Sequence, residues 1–505
     1  MNFIKFKNLS LAEKKNESYY LVGLDIGNDS TAIAFYDVAH ERPESIDLSG
    51  GYGKPSIPTV VQYIVETKEW VVGEYAILNQ GGGLIFNDFL RKMGKNEYVE
   101  LAGRSVSLAS VFAVFIKEVL MNVKNINPKA EIVGIVAAIP AYFSENQEAE
   151  LKRVFKLAGY EKELIGFVSD RECVIADYIF ENEYNEKKFL VLDFGSRELR
   201  GGLYDLSYNN GKVLCICLSF YFDETISMDA LDNEAYKLFD SFLDKPAREE
   251  YKDQLTGFHY QHKDMLFQKN IREKPMKLYF NFIYPPVEHK LTYQMADRLI
   301  KPYERRFISF INDVFTKSKL SYSDIEAVLC AGGGFEMLWA KESANMIFGK
   351  EKVYIAKNPK LTNALGAGIL AAVYADLWDK KIVVEDTQKL ENEIGIFDGH
   401  NFIVLAERNS FWWQKHEPKL VIVQKEIEGD LRFYLSHKNP DGDTVNINEI
   451  MLHGLPKRPK GVTRLKLAVS FNSNIDLALE ISDEGFGELF PSTGLKWEYA
   501  VKLSN

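Results

Sequence analysis

Cysteine is scarce in this chain, with four in 505 residues. Cys173, Cys215, Cys217 and Cys330 all sit inside apolar stretches, and the Cys-x-Cys pair has neither the spacing of a zinc knuckle nor a second pair beside it. The pattern argues against a disulfide-stapled secreted fold and a cysteine-ligated zinc site, and points to buried free thiols in a reducing cytoplasm. Positive charge is also short: 61 Lys and Arg stand against 72 Asp and Glu, for a formal net charge of −11. A general nucleic-acid surface needs clustered excess Lys and Arg, so nucleic acid is not the expected partner. Long apolar runs are missing too. The longest, VGIVAAIPAYF from Val133, is about half the roughly 20 residues a membrane span needs, and no membrane partner is expected. The opening MNFIKFKNLSLAEKKNESYY mixes charges with isolated apolar residues and has no continuous apolar core of a secretory signal, so the expected location is cytoplasmic.

What the chain does have is one hairpin signature written twice, as YYLVGLDIGNDSTAIAFYD from Tyr19 and as FLVLDFGSRELRGGLYDL from Phe189. In each, an apolar run ends in Asp-x-Gly, a short polar turn follows, and a second strand returns. An aspartate at the end of a buried strand can hold hydrated magnesium, and the glycine behind it lets backbone N–H groups approach phosphate oxygens. Asp25 and Asp193 are the candidate metal carboxylates, with Gly27 and Gly195 behind them. Either copy alone reads equally as an ordinary turn; two copies imply a duplicated fold facing a shared cleft.

Along the chain, a polar N-terminal arm (1–18) precedes alternating strand and helix patterns over 19–377, as expected for an α/β architecture. SVFAVFIKEVLMNV reads as an amphipathic helix, EIVGIVAAIP as a buried strand and QEAELKRVFKLAG as the next helix. A strongly charged helical stretch over about 232–290 suggests an inserted subdomain, with Pro275 interrupting any helix there. IEAVLCAGGGFEMLWAKESANMIFG then runs a strand through Gly332, Gly333 and Gly334 into a helix, a place where backbone can touch an anionic ligand. The small-residue helix in NPKLTNALGAGILAAVYADLW is expected to pack beneath that turn. A charged linker (378–392) carries the apolar cluster Ile382, Val383 and Val384, expected to dock reversibly on a neighbouring domain. From 393 to 505 the pattern becomes period-two β alone, a separate sandwich-like module.

Together these elements resemble the heat-shock protein 70 (DnaK-type) chaperone family, over nearly the whole chain. DIGNDS stands at that family's first phosphate loop, IPAYFSENQ at its Val-Pro-Ala-Tyr-Phe segment, DFGSREL at its second phosphate loop and AGGGFEM at its adenosine turn; EIMLHGLPKRPKGVTRLKLAVSFNSNIDLALEIS is similar to its late β-sandwich strands. The resemblance implies a duplicated actin-like (ribonuclease H-like) two-lobed ATPase domain joined to a β-sandwich that binds a peptide or protein client. It implies ATP or ADP with Mg2+ as cofactor, and a divergent member without the family's C-terminal helical lid. Asp25, Asp193 and Asp170 take the catalytic positions, and Gly27, Asn28, Gly195, Arg197, Gly332, Gly333 and Gly334 the cofactor-binding ones.

Departures from the family pattern cluster at the nucleotide site. Asn28 and Asp29 replace two threonines; a carboxylate about 4 Å from a phosphate charge costs on the order of 4 kcal/mol at an effective dielectric near 20. Ser196 through Arg200 replace a run of glycines, a threonine and a second aspartate, leaving Arg197 or Arg200 to grip a phosphate by its side chain. Asp170 stands for a glutamate, and Ser227 with Met228 for two glycines. Leu90 falls opposite the family's catalytic lysine, with Arg91 one position away and Lys92 two. Gly334 and Glu336 replace a serine and a base-stacking arginine.

Three functions remain open on these residues: an ATP-dependent chaperone-like protein, a pseudo-ATPase scaffold of the same fold, and a small-molecule phosphotransferase. In the β-module, Phe411, Trp412 and Trp413 either line a groove for an extended peptide or belong to the sandwich core.

Overall fold

The computed structural model describes residues 3–15, 18–48, 56–78, 83–182, 187–209, 212–267, 270–316, 318, 320–378, 380–397 and 401–503. The chain divides into two compact units, Met1–Glu385 and Asp386–Asn505.

The first unit is built on two sheets of one strand order. In the first, strands run Leu164–Ser169, Glu131–Ile139, Tyr19–Ile26, Ser30–Asp37 and Arg42–Ser45, with Ser56–Pro58 also on Ser30–Asp37. In the second they run Val353–Ile355, Ala327–Ala331, Lys187–Phe194, Leu199–Asn209, Lys212–Asp223 and Lys381–Asp386. Each sheet begins as an antiparallel meander and is extended by two parallel strands on the far side of the first. Parallel strands of this kind need helices on their faces. The amphipathic patterns supply them as Leu108–Ile126, Glu145–Ala158 and Asp170–Glu181 in the first half, and Tyr293–Thr316 and Leu338–Phe348 in the second. Separate apolar cores result, one around Phe112, Phe115 and Phe155, another around Phe307, Phe310 and Trp339.

Helix Thr362–Tyr374 packs across strand Tyr19–Ile26 and helix Asp170–Glu181, not chiefly beneath the glycine turn as its sequence suggested. Its small residues allow a close approach: a Cβ on Gly23 would sit 2.2 Å from both Ala364 O and Gly368 N. Residues Met228 to Leu291 form helices and a hairpin (Met276–Phe280 with Val287–Leu291) around their own cluster of Phe239, Phe258 and Phe280. The N-terminal arm is more structured than its composition indicates. Helices Phe3–Lys7 and Leu11–Lys14 bury Phe6 against Tyr19 at 5.6 Å, and the Lys14 ammonium donates to Ala375 O at 3.2 Å. The Ile382–Val384 cluster lies in the outermost strand of the second sheet.

The second unit consists of two four-stranded antiparallel sheets. One orders Phe402–Ala406, Glu393–Phe397, Leu431–Lys438 and Thr444–Leu452; the other Lys419–Ile422, Arg464–Phe471, Asp476–Asp483 and Lys496–Lys502. Alternating inward residues, among them Leu435, Ile450, Leu467 and Ile481, share one core. Phe411 is fully buried and stacks on Trp413 at 5.0 Å, and Trp412 packs against the core. All four cysteines are buried, and no disulfide joins them. Among the described residues, no helix is long and apolar enough to cross a membrane.

Candidate functional site: a cleft between the two hairpins

Both Asp-x-Gly hairpins close with the same geometry. Ile26 pairs with Thr31 and Phe194 with Leu199, so each turn spans four residues and each aspartate faces the residue seven positions on. For Asp25 that residue is Ala32; for Asp193 it is Arg200. Directly opposed residues of an antiparallel pair project from the same face, so the register alone sets the Arg200 guanidinium beside the Asp193 carboxylate.

The two turns open onto a cavity of about 720 Å³. Asp25, Gly27, Asn28, Asp170, Asp193, Gly195, Arg197, Gly332 and Gly333 line it, as do Leu90, Lys360 and Asn363. Asp170 arrives at the start of its helix, where the Ser169 hydroxyl accepts from Glu172 N and the Glu172 carboxylate accepts in turn from Ser169 N. Gly332 takes a left-handed φ of +87°, and a Cβ there would lie 2.4 Å from Asp193 Oδ1, so only glycine lets the turn pass this carboxylate. Gly333 leaves its backbone open toward the cavity, with only Lys360 carbons near at 3.8 and 4.0 Å.

The charges are already partnered. Arg200 Nη1 contacts Asp170 Oδ2, its Nη2 lies 3.0 Å from Asp193 Oδ2, and its Nε lies 3.7 Å from Glu198 Oε1. Asn363 Nδ2 donates to Asp193 Oδ2 at 3.3 Å. Arg197 bridges Asp88 and Asp229, and Lys263 pairs with Asp232. Burial pushes the Asp25 carboxyl up to about 7, reinforced by Asp193 and opposed by Arg200 and Lys360. Burial likewise raises Asp193, opposed by the Asn363 hydrogen bond. Glu198 is raised to about 7 by burial, with Tyr142 of the IPAYF segment hydrogen-bonding it in the opposite sense.

Comparison with known proteins places this cleft in a context. Residues 42–260 match a model described as "Family of unknown function (DUF5716) C-terminal", and residues 393–503 one described as "Domain of unknown function (DUF8552)". The "Chaperone protein DnaK" of Thermosipho africanus is 23% identical over 501 residues, covering 94% of this chain and 79% of that protein. The DnaK of Thermotoga maritima is 23% identical over 504 residues, covering 95% and 80%. "Heat shock 70 kDa protein 7, chloroplastic" of Arabidopsis thaliana is 22% identical over 516 residues, covering 93% and 68%. Over most of its length the chain is similar to heat-shock 70 chaperones.

Magnesium, which that likeness implies, does not fit the side chains present. Asp170 and Asp193 are engaged by the Arg200 guanidinium, and among the described residues no group of three or more His, Cys, Asp or Glu is arranged to hold a metal ion. The reading of Asp25 and Asp193 as a magnesium site therefore meets a cation already supplied by the chain. Arg197 and Arg200, the expected phosphate-gripping side chains, both contact carboxylates across the cleft. Arg91 does not line the cavity: its side chain is exposed, while Leu90 beside it is 2% exposed and faces the cleft. Gly334 is also outside, because it packs so tightly on Phe194 that a Cβ would meet the ring at 2.2 Å. The glycines do not open directly onto an α-helix either, since the 3₁₀ turn Gly333–Glu336 precedes helix Leu338–Phe348.

Sequence reasoning missed Lys360 and Asn363. Both follow the short strand Val353–Ile355, Lys360 in the 3₁₀ turn Pro359–Leu361 and Asn363 in the first turn of the next helix. Asn358 and Pro359 were the available signal, as residues that break a strand before a helix.

Proposed function

We propose that this protein is a heat-shock 70-like chaperone component whose first unit is a two-lobed, actin-like nucleotide-binding domain. In this reading the cleft takes ATP or ADP without turning it over, and the second unit binds a peptide or protein client. The observation that carries it is the composition of the cavity: both hairpin turns and the Gly332–Gly333 backbone line it, and so does Leu90, which the resemblance sets at the family's lysine position. Phosphoryl transfer depends on positioned charge rather than covalent chemistry from the protein. A leucine at the place of the family's water-positioning lysine retains the binding walls and removes the charge needed at that one place.

The client surface is assigned to the edge strand Lys419–Ile422, where Leu420 is 57% and Ile422 44% exposed. An extended peptide adds to such an edge through main-chain hydrogen bonds. The aromatic cluster at Phe411 belongs to the core instead. Two measurements test the reading. A thermal-shift titration with ADP and ATP is expected to raise the melting temperature, and a steady-state ATPase assay to show no turnover above buffer. Turnover abolished by Asp193→Ala sinks the non-hydrolysing half, and a peptide array without preference for apolar segments sinks the client half.

A second reading, a nucleotide-free scaffold, is favoured by the links across the cleft. Arg200 to Asp170, Arg197 to Asp88 and the Tyr260 hydroxyl to Glu74 at 3.4 Å join its two walls directly. Absence of any thermal shift with either nucleotide selects it.

A further inference from the structure

The hairpin register builds a cation into the cleft. Arg200 lies opposite Asp193 in the strand pair, reaches Asp170 with its other terminal nitrogen, and keeps Nε within 3.7 Å of Glu198. A guanidinium is planar, permanently charged and carries five N–H donors, so three carboxylates leave N–H groups for a further acceptor. Unlike a bound metal, this cation cannot dissociate. Lys360 adds a second positive charge on the cavity wall, where it faces Asp25 and Glu336. Beside them Asn363, 6% exposed, hydrogen-bonds Asp193 and Asp25, and among the described residues its Oδ1 has no hydrogen-bond partner, leaving a buried polar atom at the wall for a ligand hydroxyl.

We propose that Arg200 is the resident cation of the cleft, and that the phosphates of a nucleotide enter against Arg200 and Lys360 without a divalent metal. This rests on the nucleotide-binding reading above and adds its ionic requirement. In proteins that neutralise nucleotide phosphates with magnesium, chelation removes a charge that the chain cannot replace; here the charge is covalently attached.

The test is calorimetry of the whole chain with ADP, once with magnesium and once with excess EDTA. The dissociation constant is expected to differ by less than about threefold between the two conditions. Arg200→Ala is expected to weaken binding in EDTA by about tenfold or more, with magnesium restoring part of the loss, because the freed carboxylates then offer metal ligands. Should that variant fail to fold, Lys360→Ala serves in its place, weakening binding to a similar degree in both conditions. Binding by the native chain that appears only with magnesium overturns the inference and leaves the nucleotide reading standing. No heat in either condition defeats the nucleotide reading, and this inference with it.

Discussion

Two buried arginine–aspartate pairs, one in each unit, show how differently the same chemistry is used. In the second unit Arg458 and Asp483 form a two-pronged pair at 2.7 and 2.9 Å. Asp483 also accepts from Thr493 N at 2.9 Å, Thr493 Oγ1 at 2.8 Å and Gly485 N at 3.1 Å, while Arg458 donates to Pro491 O at 2.7 Å. Burial alone would raise the Asp483 carboxyl, but the Arg458 and Thr493 bonds outweigh it and hold it down to about 2. In the cleft, Asp193 has, among the described residues, only Arg200 Nη2 and Asn363 Nδ2 as side-chain partners, lies near Asp25, and is pushed up instead. A pair whose lone pairs are all met is a structural fastener. A pair left with unmet polar atoms beside a cavity is a site.

The largest effect that sharpens this contrast comes from truncating each arginine. Arg458→Ala strands Asp483 among groups that cannot rehydrate it, and is expected to destabilise the second unit by about 3–5 kcal/mol in chemical denaturation followed by tryptophan fluorescence. Arg200→Ala is expected to cost the first unit only about 1–3 kcal/mol, because the cavity admits water and the freed carboxylates can take up a proton. Equal losses in the two units would break the comparison.

Acidity separates the pairs by sign. Asp483 has a lowered folded value, so its contribution is complete above its ordinary 3.8 and is lost as pH falls through about 2. That contribution is about 2 kcal/mol by linkage. Asp25 has a raised folded value, so the folded state holds more protons than the unfolded one, and stability declines as pH rises from the ordinary carboxylate range through about 7. Melting of the native chain across pH is expected to show both arms. Asp483→Asn is expected to flatten the acid arm, and Asp25→Asn to shrink the arm approaching neutrality, which the raised Glu198 and Asp193 carboxyls keep in part; a single variant that changes both arms would break the comparison.

Much of this was legible in the sequence, and the part that was not has a physical cause. The two Asp-x-Gly turns, the strands before them and the change to a β-only pattern follow from local periodicity, and they appear at the places the patterns indicate. The partner of Arg200 was also within reach: a four-residue turn sets position seven after each aspartate opposite it, and DFGSRELR puts arginine there where DIGNDSTA puts alanine. Carrying register across the turn would have turned a possible phosphate ligand into a carboxylate's neighbour. For Lys360 and Asn363 the sequence offered only the break at Asn358 and Pro359, because their reach into the cleft depends on a 3₁₀ turn and a helix start set by packing against Gly23. Phe6 was hidden for the same reason, as one apolar residue in a charged arm becomes core only once Tyr19 is placed beside it.

The smallest effect probes what holds the cleft carboxylates in place. Asp170 meets Arg200 from the first turn of a helix fixed by the reciprocal Ser169–Glu172 capping box. Ser169→Ala removes one acceptor of that box, and a lost N-cap typically costs about 1 kcal/mol. A merely structural cap would lower the melting temperature and leave ligand binding unchanged. If the cap also positions Asp170, loosening the helix start frees Arg200 from one of its two terminal partners, and the guanidinium shifts toward Asp193. ADP affinity measured in EDTA is then expected to change by about two- to threefold, beyond the loss in stability. No change in affinity alongside the stability loss would reduce Asp170 to a bystander and leave Arg200–Asp193 as the only pair in the cleft that matters to a ligand.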